Sequence, residues 1–270
     1  MLKITKSINV DGIFSALERH FDRNFVGQAE QHNFWEMLYV VDGCVGVVAE
    51  DKVYELTCGQ IIFYEPPVFH KIWAANDAPI HVIMLSFSLT GQGFEDLSKG
   101  IFDAGDEEVQ LIKSAYSFAQ HCFEFEDYIK NQLISNKIEE LILRLLEKGS
   151  SRSQQKRDKS TEIYKKIVRT MADNLYENLS ADQLAKLCDL SLTTLKKTFK
   201  TYSGISVMKY YGNLRMQKAI DLMCEGKNMA EISEILNFSS QNYFTEAFKR
   251  QCGMTPSEHK RRFVKADIYK

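Results

Sequence analysis

At 270 residues, 44% apolar and 26% charged, the chain has room for two domains with their own cores, which excludes large-scale disorder. Its net charge of −2 hides a split: residues 1–148 carry 12 Lys and Arg against 23 Asp and Glu, 149–160 carry 4 against 1, and 161–270 carry 18 against 12. Only the rear suits a polyanion. No apolar run approaches the roughly 18 residues of a membrane span, and Met1–Ser7 lacks the apolar centre of a secretory signal. The six cysteines are dispersed without a C-x-x-C pair, which predicts reduced thiols in a cytoplasmic protein rather than a disulfide frame or zinc site.

The front half reads as short strands. Aromatic and β-branched runs alternate with turn residues between 34 and 89: Met37–Val41 before Asp42-Gly43, Val45–Ala49 before Glu50-Asp51-Lys52, then Val53–Leu56, Ile61–Tyr64 and His81–Phe87. This predicts an antiparallel sandwich or barrel. From about 106 the period turns helical. Along Asp127–Lys148, Leu133, Ile134, Ile138, Leu141, Ile142, Leu145 and Leu146 recur at intervals of three and four. That stripe is open to its own domain or to a second subunit, with the second subunit favoured. Residues 149–160 hold no apolar side chain and read as a linker and domain boundary.

Past the linker, a helix over about Thr161–Tyr176, capped by Ser160 or Thr161, leads into a helix-turn-helix pattern. Its first helix follows Ser180 and turns Leu184, Ala185 and Leu187 inward; after a break at Asp189-Leu190, Ser191 caps a second helix that buries Leu195 and Phe199. A long helix over Val207–Cys224, with Leu214, Ala219, Ile220, Leu222 and Met223 inward, connects to a second such pattern. There Ile232, Ile235 and Leu236 face the core, Asn237-Phe238-Ser239 break the chain, and Phe244, Ala247 and Phe248 line the next helix. Two units of this kind predict DNA binding, because the second helix of each places side chains in the major groove. The outward faces show Thr193, Thr194, Lys196, Lys197 and Lys200, then Gln241, Asn242, Thr245 and Glu246. Gln and Asn pair with adenine, Lys reaches guanine acceptors and a Thr methyl packs on thymine. Ser191, Lys200, Arg215, Ser239, Ser240, Lys249 and Arg250 are the candidates for holding phosphate.

Through Asn237–Arg250, Gly253–His259 and Asn213–Ala219, residues 161–270 resemble the C-terminal domain of the AraC/XylS family of bacterial transcription regulators. The resemblance implies an α+β two-domain chain. A cupin-like sensing and dimerisation domain spans 1–148, a linker 149–160, and an all-α domain of seven helices with two helix-turn-helix motifs spans 161–270. It places base reading on Thr193, Lys196, Lys197, Gln241, Asn242 and Glu246. The implied partners are double-stranded DNA, RNA polymerase, a small-molecule effector and a second copy of the chain; the implied role is that of an activator, not an enzyme. Two residues depart from the family pattern. Asp189 stands where many members have Gly, a position Asp fills by adopting the left-handed conformation. Glu246 stands where some have a basic residue, which disfavours a contact there unless the carboxylate accepts from a cytosine amino group.

In the front half, His32-Asn33-Phe34-Trp35-Glu36 followed by Gly43, and Gly59 followed by Pro66 and His70, resemble the two short motifs of the cupin barrel. Metal-binding cupins present a His-x-His pair, a Glu and a later His; with Phe34 at the second His position, His32, Glu36 and His70 remain. Three such ligands suit iron or zinc. The favoured reading is a lost metal site turned ligand pocket, with no metal or cofactor expected. The expected pocket is His32, Trp35, Glu36, Tyr39, Tyr64, His70 and Trp73, suited to a small polar effector, a carbohydrate among them because sugars stack on aromatic rings. The alternative is a metal-dependent cupin enzyme carrying a DNA-binding tail.

Overall fold

The runs Met37–Val41 and Ile61–Tyr64 lack the in–out alternation of a half-exposed strand, and the reason is a sheet covered on both faces. The computed structural model describes residues 6–28, 30–122, 127–151 and 159–261, without the side chains of His121 and Cys122. In it these runs form β2 (Trp35–Asp42) and β5 (Gln60–Tyr64). With β1 (Ile8–Phe21), β7 (Ile80–Gly91) and β8 (Ile101–Asp103) they build a five-stranded antiparallel sheet ordered β1-β7-β2-β5-β8. A three-stranded sheet, ordered β4-β3-β6, consists of β3 (Cys44–Ala49), β4 (Lys52–Thr57) and β6 (His70–Ala74).

One face of the larger sheet presents Leu38, Val40, Ile62, Tyr64 and Val82 to Val45, Val47, Tyr54 and Leu56 of the smaller one. The opposite face presents Trp35, Met37, Tyr39, Phe63, Leu85 and Phe87 to α1 (Asp106–Cys122) and α2 (Tyr128–Lys148). This is the expected β-rich front with helices. Three strands went unread in the sequence. Register shifts between Val10 and Gly12 and between Ile13 and Ser15 interrupt the two-residue period of β1. β6 and β8 span 5 and 3 residues, too few for a period to repeat.

The irregular stretch of β1 is where α2 docks. The Val10 N–H donates to the Glu139 carboxylate at 2.9 Å, and the Ser135 hydroxyl donates to the Val10 carbonyl at 2.5 Å. Ser135 and Glu139 stand one turn apart on the same helical face, so together they satisfy both polar groups of one residue's backbone. Around them Ile134, Ile138, Leu141, Ile142 and Leu145 are buried against their own sheet and α1. The expectation that this stripe meets a second subunit is therefore corrected: the helix-facing side of the sheet is apolar enough to cover it. Tyr128, Ile129, Leu133 and Leu143 stay exposed.

The chain divides into two units, Met1–Arg157 and Asp158–Lys270. The expected linker is shorter at both ends. The Ser151 N–H and hydroxyl both donate to the Ile101 carbonyl at 2.8 Å, while Lys159 and Ser160 already belong to α3 (Lys159–Asp173); residues 152–158 lie outside the described residues. Neither Ser160 nor Thr161 caps that helix, because both lie within it and Thr161 is buried. Then come α4 (Ala181–Leu187), α5 (Leu192–Ser203), α6 (Val207–Cys224), α7 (Met229–Ile235), α8 (Gln241–Cys252) and α9 (Pro256–His259), seven helices with α3 among the described residues. Leu187 is exposed rather than inward, and Leu214 and Ile220 are only half-buried. Cys44, Cys58, Cys188, Cys224 and Cys252 are all reduced thiols.

Replacing Glu139 by Ala strands the Val10 N–H, and this should destabilise the front unit by about 1–3 kcal/mol. Glu139→Gln, which keeps an acceptor, should lose less. Both tryptophans, Trp35 and Trp73, lie in the front unit, so tryptophan fluorescence during denaturant unfolding isolates its transition. Equal stability of all three chains would show that the contact carries no weight.

Candidate nucleic-acid interface and effector site

The rear unit repeats itself bond by bond. Ser180 caps α4 and Asn228 caps α7, each in a reciprocal capping box, with Gln183 and Glu231 respectively. After each helix one residue turns left-handed, Asp189 at φ 54° and Asn237 at φ 51°, a conformation these side chains tolerate. The same backbone bond then closes each turn, Leu190 N–H to the Ala185 carbonyl and Phe238 N–H to the Ser233 carbonyl, both 2.9 Å. The second turn holds one more residue before its cap. Ser191 and Ser240 accept from the Thr194 and Tyr243 N–H groups, both at 3.1 Å, opening α5 and α8. Both reader helices end at a left-handed glycine, Gly204 and Gly253, each at φ 75°.

Leu195 and Phe199 in α5, and Phe244 and Phe248 in α8, occupy matching positions and are fully buried. That register fixes which residues correspond on the outer faces: Thr193 with Asn242, Lys197 with Glu246, and Lys200 with Lys249. All six are exposed, as are Lys196, Gln241, Ser191, Ser239, Ser240 and Arg250. The caps use the serine oxygens as acceptors, which leaves their O–H groups able to donate.

Arg215 is the exception, and its expected phosphate contact is corrected. It is only 5% exposed, so no polyanion reaches it. Its Nε donates to the Leu175 carbonyl at 3.2 Å, Nη1 to Asn178 Oδ1 at 3.2 Å, and Nη2 to the Leu236 carbonyl at the end of α7. The guanidinium lies 4.3 Å from the centre of the Phe238 ring, within cation–π range. Burial lowers its pKa from the ordinary value. Arg215 thus ties the segment entering α4 to the turn of the second motif. The sequence held a signal for this: Tyr211, Arg215, Ala219 and Leu222 share one helical face, and all four are buried.

In the front unit, strand parity sorts the expected pocket. Glu36 shares the inner face of β2 with Leu38 and Val40, opposite Tyr64 on β5 and Ser86 on β7. Its carboxylate lies 3.6 Å from His32 Nε2 and 3.4 Å from His70 Nε2, and it accepts from the Ser86 hydroxyl at 3.2 Å. Burial pushes its pKa up, but the two imidazoles outweigh this and hold it at about 2. For His32, burial pulls down, while Glu36 and the Phe34 carbonyl prevail and leave the pKa raised. Phe34, expected only as a replaced ligand, stacks on His32 at 3.9 Å, and Tyr64 stacks on His70 at 4.1 Å. Glu30, absent from the expected set, joins them: its backbone exchanges hydrogen bonds with His70 at 2.9 and 3.0 Å.

Two family profiles match the chain, an AraC-like ligand binding domain over residues 12–98 and a helix-turn-helix domain over 184–262. The chain belongs to the AraC family. VirF, a virulence regulon transcriptional activator of Yersinia enterocolitica, is 32% identical over 94 residues, 34% of this chain and 35% of that protein; the match spans about a third of VirF. RhaR, a transcriptional activator of Escherichia coli O139:H28, is 23% identical over 240 residues, 84% of each chain. Among solved structures, ToxT of Vibrio cholerae with bound unsaturated fatty acid is 14% identical, covering 93% of this chain and 95% of that one at a TM-score of 0.38.

Within this AraC-family chain, Trp35, Tyr39 and Trp73 leave the pocket. Trp35 and Tyr39 alternate with Glu36 and so face the helices, with Trp35 against Phe94. Trp73 lies on the face of β6 opposite His70 and covers Gly46, where an added Cβ would stand 2.0 Å from its ring. With these rings turned away, the stacking platform argued for a carbohydrate is gone. A cavity of about 260 Å³ opens elsewhere, between the irregular stretch of β1 and the two helices, beside Asp11, Ala119, Asn131 and Ser135. Its walls come from segments far apart in sequence, so no local pattern announces it. No described helix is long and apolar enough to cross a membrane.

Arg215→Ala should remove about 2–4 kcal/mol from the rear unit, the cost of stranding several buried acceptors. Arg215→Lys should not rescue it, since an ammonium cannot span the three acceptors. Helical ellipticity during unfolding reports the loss, and the tryptophan transition should stay in place. A shift of both transitions would mean that Arg215 acts outside its own unit.

Proposed function

We propose that the chain is a sequence-specific DNA-binding transcription activator, a regulator rather than an enzyme, answering a small polar effector held by its front unit. The observation that carries this is the repeated motif: two reader helices bury matching aromatic faces and leave polar and basic faces exposed. Thr193, Lys196, Lys197, Gln241, Asn242 and Glu246 are the proposed base readers. Ser191, Lys200, Ser239, Ser240, Lys249 and Arg250 are proposed to hold phosphate, which fixes register without reading sequence. The names of VirF and RhaR as activators support the positive sign, and RNA polymerase is the partner proposed to go with it.

Effector binding is assigned to His32, Glu36, Tyr64 and His70, the members of the expected pocket that meet around the Glu36 carboxylate, taken as the mouth of the barrel formed by the two sheets. Homodimerisation is assigned to the outer side of α2, where Leu133 and Leu143 remain exposed. An effector alters DNA occupancy only through unequal affinity for two arrangements of the protein.

Lys197→Ala and Gln241→Ala should each cost about 1–3 kcal/mol at a selected cognate duplex and less on scrambled DNA. Fluorescence anisotropy against both duplexes measures this; equal losses on the two would reduce these residues to phosphate contacts. Residues 158–270 alone should bind a paired site more weakly than the full chain, because dimerisation raises the effective concentration of the second reader. Unchanged affinity would remove the homodimer.

A further inference from the structure

We infer that the barrel mouth binds a divalent first-row transition-metal ion through His32, Glu36 and His70, with Glu30 as a fourth ligand. This rests on reading the mouth as the effector site and names its occupant. Backbone carbonyls fix the proton positions of both imidazoles. His32 Nδ1 lies 2.9 Å from the Phe34 carbonyl and His70 Nδ1 3.1 Å from the Val68 carbonyl. A carbonyl only accepts, so each Nδ1 carries the hydrogen, and in the neutral rings each Nε2 carries a lone pair. Both Nε2 atoms are buried without a hydrogen-bond partner, and His70 is only 4% exposed. Both are nonetheless aimed at opposite oxygens of one buried carboxylate, at 3.6 and 3.4 Å.

With each Nδ1–H committed to a carbonyl, each Nε2 faces the carboxylate with a cation between them, either a proton on the ring or a metal ion in its place. The donor atoms of Glu30, His32, Glu36 and His70 all lie within 4.8 Å of one another. An ion with ligands at about 2.1 Å spans about 4.2 Å between opposite donors, so the set closes on an ion with small adjustments. Two imidazoles and carboxylate oxygens select the iron-to-zinc group over magnesium or calcium. The surroundings hold the ligands as a metal site requires: each ring is oriented by its Nδ1–H on a backbone carbonyl, and Glu36 by Ser86.

The test is titration of the full chain, stripped with chelator, with zinc(II) by calorimetry and with cobalt(II) by its visible absorption. One ion per chain is expected, with cobalt bands showing nitrogen and oxygen ligation. His70→Ala and Glu36→Gln should weaken binding by at least the roughly 10–100-fold that loss of an outer-shell partner alone costs, while circular dichroism confirms that each remains folded. If either variant fails to fold, His32→Ala, at the partly open rim, carries the test. His81→Ala, in the separate pair of His81 with Glu18, should leave binding unchanged. The inference is overturned if the wild-type chain takes up no ion, or if His81→Ala abolishes uptake and the mouth variants do not. That failure would leave the effector and DNA readings standing, since an organic effector would still be detected by its shift of DNA affinity.

Discussion

A carboxylate taken out of water must be compensated by positive charge or by hydrogen-bond donors, and Glu36 imposes that requirement on the whole mouth of the front barrel. It reaches the inner face because β2 runs through a sheet covered on both sides, and residues on a strand alternate between the two. Ser86, His32 and His70 answer it from three other segments. The 30–32 stretch is in turn fixed to the start of β6 by the paired backbones of Glu30 and His70, and Phe34 and Tyr64 clamp the two imidazoles by stacking. This polar cluster stands against an otherwise apolar interior.

In the rear unit the corresponding constraint is the duplicated turn. Once the left-handed residues and the serine caps are placed, the burial of Leu195 and Phe199, and of Phe244 and Phe248, decides which side chains look outward. The two readers then differ in character. The first presents Lys196, Lys197 and Lys200, while the second presents Gln241, Asn242 and Glu246 ahead of Lys249 and Arg250. Lys197 and Glu246 occupy the same place in the repeat with opposite charge. Coulomb attraction to phosphate is sequence-independent, whereas amide and carboxylate groups discriminate between base edges. The first outward face is thus the more basic, and the second carries more groups able to pair with base edges. Arg215 holds the two motifs in one frame from within.

The helical repeat, the strand-rich front and the outward faces of α5 and α8 were legible in the sequence, because each follows from local spacing: capping serines, three-and-four periodicity, short β-branched runs between turns. The pocket was only partly so. His32, Glu36, Tyr64 and His70 come together as expected. Trp35, Tyr39 and Trp73 do not, because composition marks an aromatic residue without saying which face of a doubly buried strand it takes. Glu30 went unread because it joins the cluster through a backbone pair with a residue forty positions away.

The linear pattern alone determined that this chain carries two helix-turn-helix motifs behind a β-rich domain, since capping, periodicity and turn chemistry act between near neighbours. Tertiary structure alone decided that Arg215 is a buried tie rather than a phosphate contact, that the stripe of α2 belongs to its own sheet, and that two imidazoles and two carboxylates meet at one point. Those outcomes depend on which distant surfaces exclude water together, and no short window of sequence contains that information.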